Sequence, residues 1–151
     1  MTEPFRDAFD APADPAVIGR VHDVFERLGD ERPDLSADLR GRFELAVVEV
    51  VTNVVTHSAG ERPVHVELVI RATGDGIEGI VTDDAPPAAI DVDAAAMPDP
   101  DALTESGRGL ALVGLLVDRF THEPLPTGNR WTLTAAAAPA APSAPAAPAV
   151  P

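Results

Sequence analysis

Glu44 to Ser58 reads ELAVVEVVTNVVTHS, and the period of its apolar residues decides the fold. Taken with the residues before it, the stretch places Leu39, Phe43, Val47, Val50 and Val54 at spacings of three and four, the stripe of a helix that buries one face. The many β-branched residues argue for a strand instead. The period prevails, because the run is far longer than an ordinary strand of roughly five or six residues. We therefore expect a helix from Ser36 to about His57. Glu49, Asn53 and His57 then fall at i, i+4 and i+8, along one side of it. Polar groups within a long apolar helix are costly without partners. The oxygens of Glu49 and Asn53 suit Mg2+ binding or the activation of a water. The plainer alternative is a solvated stripe opposite the core.

Working upstream, Asp14-Pro15 opens another helix, with the Asp as cap and the Pro in the first turn. Val17, Val21, Val24, Phe25 and Leu28 share one face, and Gly29 is expected to end it. Downstream, Val64 to Ala72 alternates as a strand, with Val64, Val66, Leu68 and Ile70 on one face. Thr73-Gly74-Asp75-Gly76 is a turn, and Ile77 to Thr82 returns as the second arm of a hairpin. Asp84 to Ser106 has no period and holds Pro86, Pro87, Pro98 and Pro100. We expect a long loop there, of the kind that carries function. Gly107-Arg108-Gly109 leads into a short helix, Leu110 to Val117. Phe120 to Glu123 and Arg130 to Thr134 close the domain as two strands. The order predicts an α+β fold, a two-layer α/β sandwich whose mixed, mostly antiparallel sheet carries helices on one face.

Composition narrows the function. The chain has 151 residues, enough for one domain, and a formal charge of −14. It contains no Lys, which excludes a Walker-type phosphate loop, a Schiff base and a Ser-Lys dyad. It contains no Cys, which excludes thiol catalysis, disulfides and Cys-ligated zinc. An acidic chain with few aromatics argues against nucleic-acid and membrane surfaces. MTEPFRDAFD lacks the apolar core of a signal peptide, and no apolar run of about 18 residues occurs, so a cytoplasmic location is expected. Ala135 to Pro151 holds only Ala, Pro, Ser and Val, with Pro every third residue from Pro139. That spacing forbids a helix and suits a disordered polyproline tail, leaving residues 1–134 as the domain.

Two further clusters carry chemistry. Asp83-Asp84 ends a strand, where carboxylates bind an exocyclic amine, a metal or a sugar hydroxyl, or form only a charged turn. Gly107-Arg108-Gly109 lets a backbone approach a phosphate, with the free N–H groups and positive dipole end of a helix behind it. A helix-capping turn would look the same. His22, His65 and His122 are scattered, with no ligand spacing among them.

In order and separation, the three clusters resemble the Bergerat ATP-binding fold of the histidine kinase-like ATPases. ELAVVEVVTNVVTHS looks like that superfamily's N-box, VTDDAPP like its first glycine box and GRGLALV like its second. The resemblance covers roughly residues 10 to 134. The E-x-x-x-N-x-x-x-H form is most similar to the bacterial anti-sigma factor serine kinases.

This resemblance implies roles. Glu49 matches the general base for a substrate serine, and Asn53 the Mg2+ ligand. Asp83 matches the adenine contact, with His57 and Ala85 beside the nucleotide. Gly107, Arg108, Gly109 and Leu110 match the phosphate-binding turn, and Asp84 to Ser106 the lid. The implied cofactors are ATP and Mg2+. The implied partners are a sigma factor and a serine-bearing antagonist protein, and a homodimer is common among such relatives. Ala85 and Pro87 occupy both glycine positions of the D-x-G-x-G box; Pro lacks the N–H and Ala resists positive φ. A non-catalytic protein-binding regulator with a degenerate ATP site is therefore the alternative.

Overall fold

The computed structural model describes residues 3–57, 62–88 and 105–137, with residues 105–108 described by their backbone. It opens with a strand that the sequence reading did not foresee, β1, Phe5–Pro12. Phe5, Phe9 and Ala11 turn inward while Arg6, Ala8 and Asp10 face solvent. The helix that follows, α1, spans Val17–Glu31, and the Asp14 carboxylate accepts the Ala16 N–H at 2.8 Å where the chain enters it. Its buried face is the expected one, Val17, Val21, Val24, Phe25 and Leu28. Gly29 does not end it, and Arg32 N–H still bonds back to the Leu28 carbonyl at 2.8 Å. A glycine costs a helix only about 1 kcal/mol, less than the burial of Leu28 returns.

Arg32 is itself buried. Its Nε and Nη2 donate to the two carboxylate oxygens of Asp34 at 2.9 and 2.7 Å, and Nη1 donates to the Glu3 carbonyl at 2.9 Å. This fork ties the start of the chain to the link between helices. It holds the Asp34 carboxyl below the usual range and the Arg32 guanidinium above its own.

The second helix, α2, spans Ala37–His57, and Ser36 Oγ accepts the Leu39 N–H at 3.0 Å. Leu39, Phe43, Val47, Val50 and Val54 are buried as the period requires, joined by Ala46 and Val51. Phe43 is fully enclosed and lies 6.2 Å from the Phe25 ring. Burying each large apolar side chain gains about 1.5–3 kcal/mol. A β-branched residue forfeits at most about 0.7 kcal/mol of helix propensity, so packing wins.

The hairpin of β2 (His65–Thr73) and β3 (Gly76–Asp83) follows as expected. A third helix, α3, spans Glu105–Leu116, and the last hairpin pairs β4 (Arg119–Leu125) with β5 (Gly128–Ala136). Residues 89–104 of the expected loop lie outside the described residues. Two boundaries move. The helix α3 begins at Glu105 rather than Leu110, so Gly107-Arg108-Gly109 lie within it. Packing against α2 holds it along its length, with Arg42 Nη1 donating to the Leu116 carbonyl at 2.9 Å. The strand β5 continues past Thr134 because Ala135 is buried and Ala136 N–H donates to Asp118 Oδ2 at 2.6 Å. Ala137 N–H then bonds the Asp75 carbonyl at 2.8 Å. The expected tail beyond Ala137 lies outside the described residues.

The strands form one sheet in the order β1-β2-β3-β5-β4. Every neighbouring pair is antiparallel, so the expected mixture of directions is absent among the described strands. Each connection reverses the chain: two hairpins, the helix pair between β1 and β2, and α3 with β4 between β3 and β5. Val66, Leu68, Ile70, Val81, Trp131 and Leu133 line the face that the helices cover. No helix among the described residues is long and apolar enough to cross a membrane.

Candidate functional site

Side chains of β3 alternate, so Asp83 shares the covered face with Val81 and is only 5 % exposed. Across the β3–β5 ladder, Asn129 stands opposite Asp83 and Trp131 opposite Val81. The three side chains meet. Asp83 Oδ1 accepts from Asn129 Nδ2 and from the Ala85 N–H, both at 3.0 Å. Asp83 Oδ2 accepts from the Trp131 indole N–H at 3.1 Å. Asn129 Oδ1 in turn accepts from the Ala88 N–H at 2.9 Å and from His122 Nε2 at 3.0 Å. The segment after β3 therefore wraps round one amide side chain. Gly128 permits this approach, because a Cβ there would lie 2.0 Å from the Asp83 carbonyl oxygen. His122 and Phe120 flank the indole, with ring centres 4.4 and 6.1 Å away.

A cavity of about 380 Å3 opens between this network and the end of α2. Asn53, His57 and Asp83 supply polar groups to it, and Val54, Ala85, Pro86 and Trp131 supply apolar wall. The volume is near the lower end of small-molecule sites, which run roughly from 300 to 1,000 Å3. A purine requires flat apolar walls and an acceptor for its exocyclic amine. A carboxylate offers about four lone-pair positions. The protein's own donors use three on Asp83, leaving one on Oδ2, so the residues fit a purine. Among the described residues no three His, Cys, Asp or Glu side chains gather into a metal site. That donor set suits Mg2+ arriving with a nucleotide, since Mg2+ takes one or two protein oxygens and fills the rest with phosphate and water. Asn53, half-buried at the rim, is placed to give one.

The remaining expected residues lie at different distances from the cavity. Glu49, one turn before Asn53, does not line it. The carboxylate rests against α3 instead, close enough that a Cβ on Gly109 would sit 2.7 Å from Glu49 Oε2. Asp84 points to the other side, where its Oδ1 accepts the His65 N–H at 2.8 Å. Gly107-Arg108-Gly109 and Leu110, expected to form a phosphate-binding turn, lie within α3, which begins at Glu105. The N–H groups of a helix's first turn lack intrahelical acceptors, and in α3 these include residues 105–107. Gly109 and Leu110 come after them, and Leu110 is buried in the core. At Ala85, the contact to Asp83 comes from the backbone N–H, a local turn of the kind Asp favours.

Asn129, Trp131 and His122 were missed in the sequence. One signal was available: Trp131 is the only Trp, and Asn129 precedes it by two residues, hence on the same face of a strand.

Compared with family models, the chain matches the histidine kinase-like ATPase domain over residues 11–135. It belongs to that family, and membership points to ATP binding. No curated protein matches the chain.

Proposed function

We propose that this chain is an ATP-binding serine kinase of the anti-sigma factor type. It would phosphorylate a serine of an antagonist protein and sequester a sigma factor in the cytoplasm. The alignment of Glu49 and Asn53 on one side of α2, beside a cavity floored by Asp83, carries the reading. Asp83 accepts from the adenine amine through the free position on Oδ2. Asn53, which lines the cavity, would hold Mg2+. N–H groups at the start of α3, which have no acceptor within the helix, would offer donors for phosphate oxygens. Glu49 would accept the serine hydroxyl proton as general base. ATP, when bound with Mg2+, supplies the γ-phosphoryl group, whose bond to the departing ADP breaks.

A second reading keeps nucleotide binding without transfer. It is favoured by the placement of Glu49 against Gly109, outside the cavity lining. Incubation with Mg-ATP and a candidate antagonist domain tests the choice. A phosphoserine mass shift on the antagonist supports the kinase. Its absence, with ATP demonstrably bound, supports the second reading.

A further inference from the structure

Asn129 is a buried polar side chain, and all four of its hydrogen-bonding positions are filled. Its Nδ2 donates to Asp83 Oδ1 at 3.0 Å and to the Pro86 carbonyl at 3.3 Å. Its Oδ1 accepts from the Ala88 N–H at 2.9 Å and from His122 Nε2 at 3.0 Å. A backbone N–H can only donate, so Ala88 fixes which end of the amide is oxygen. A flipped amide would set two donors against each other at Ala88 and an oxygen against the Asp83 carboxylate. The amide nitrogen is thereby committed to Asp83, and His122 Nε2 must carry a hydrogen.

This commitment decides what Asp83 has left to offer. Oδ1 takes two hydrogens, from Asn129 and from the Ala85 N–H, both at 3.0 Å, which fills its two lone pairs. Oδ2 takes the Trp131 indole N–H at 3.1 Å and keeps one position. Asp83, Asn129 and Trp131 all line the same cavity. The carboxylate can therefore serve one N–H of a ligand through one oxygen, and not two N–H groups side by side. That limit separates purines by their edges. Adenine brings its amine as the only donor on this edge, beside the acceptor N1. Hypoxanthine brings N1–H alone. Guanine brings N1–H and the 2-amine side by side, and an unoccupied carboxylate takes both, one on each oxygen. Here the second of guanine's donors finds no acceptor on Asp83, and a buried donor left unpaired is costly.

We propose, on the reading that Asp83 holds a purine, that Asn129 is a specificity-determining residue. It turns guanine away by occupying the Asp83 oxygen that the second donor of that base requires. The Ala85 N–H shares this oxygen but belongs to the backbone of the turn, so Asn129 is the contributor that a side-chain change removes. Because Asn129 lines the cavity, its truncation leaves the freed position open to a ligand.

Calorimetric titration of the wild type and Asn129→Ala with the Mg2+ complexes of ATP, inosine triphosphate and GTP tests this. Inosine triphosphate and GTP differ only in the 2-amine, so their affinity ratio isolates that donor. A general loosening of the site weakens both alike and leaves the ratio unmoved. The wild type should bind GTP at least about tenfold more weakly than inosine triphosphate, the effect of one unpaired buried donor. In N129A, GTP should come within a few fold of inosine triphosphate. Circular dichroism verifies that N129A folds; should it not, the wild-type ratio decides alone. A wild type that binds ATP, but binds GTP as tightly as inosine triphosphate, overturns the role of Asn129 alone. So does an unchanged ratio in folded N129A. A wild type without saturable ATP binding overturns the nucleotide reading, and the role of Asn129 with it.

Discussion

The side-chain amide of Asn129 donates to Oδ1 of Asp83 at 3.0 Å, from the position directly opposite across β3 and β5. It aims a carboxylate that lines the cavity and whose other oxygen accepts from the Trp131 indole. Through its own oxygen it also holds the Ala88 N–H and the His122 ring. One buried amide thus joins the end of β3, the start of the following segment and the edge strand β4.

Replacing Asn129 by Ala should cost about 1–3 kcal/mol, because it removes the donor to the buried Asp83 carboxylate and the acceptor of the half-buried donors at Ala88 and His122. Asn129→Asp should cost more at neutral pH, since it keeps the shape but sets a second carboxylate against the first. Urea unfolding of both variants measures this. Parental stability in both would mean that the network does not organise the site.

Glu49→Gln should keep ATP binding and lose phosphoryl transfer, because the amide cannot accept the serine proton. Gly109→Ala should separate stability from activity. The added methyl meets only the flexible end of Glu49, 2.7 Å away. The helix itself gains up to about 1 kcal/mol from the substitution. We therefore expect unchanged or higher thermal stability and slower transfer, as the carboxylate is pushed aside. Full transfer in both variants would remove Glu49 as the base.

The fork between Arg32 and Asp34 sets an acid limb of stability. Hydrogen bonds from Arg32 hold the Asp34 carboxyl below its ordinary value. A depressed folded-state value means that the contribution is fully present above the unfolded value of about 3.9 and fades as pH falls through the folded one. Asp34→Asn should lower the urea midpoint at pH 7 and narrow the difference from wild type as pH drops below about 4. A constant difference across that range would contradict the linkage.

Much of this architecture was legible because burial has a period. The stripe Leu39, Phe43, Val47, Val50, Val54 marked α2 despite its β-branched composition. The resemblance to the first glycine box singled out Asp83 rather than Asp84. The strand β1 escaped because Arg6, Asp7 and Asp10 dilute three inward apolar residues. The start of α3 escaped because its glycines read as a turn, and only contact with α2 makes them helical. Asn129 and Trp131 acquire their meaning from cross-strand register with Asp83 and Val81, a relation between segments almost fifty residues apart that local pattern does not contain.

Calorimetric titration of Mg-ATP into the wild type, Asp83→Asn and Asp84→Asn tests the nucleotide site most directly. Asp83 floors the cavity, whereas Asp84 is tied to the His65 N–H on the other side. We expect saturable one-site binding to the wild type. Loss of a hydrogen bond to a charged group costs about 1.5–3 kcal/mol, so D83N should bind about tenfold to more than a hundredfold more weakly. D84N should stay close to the wild type. Absence of saturable binding to the wild type, or equal affinity in D83N, would contradict a nucleotide site at Asp83.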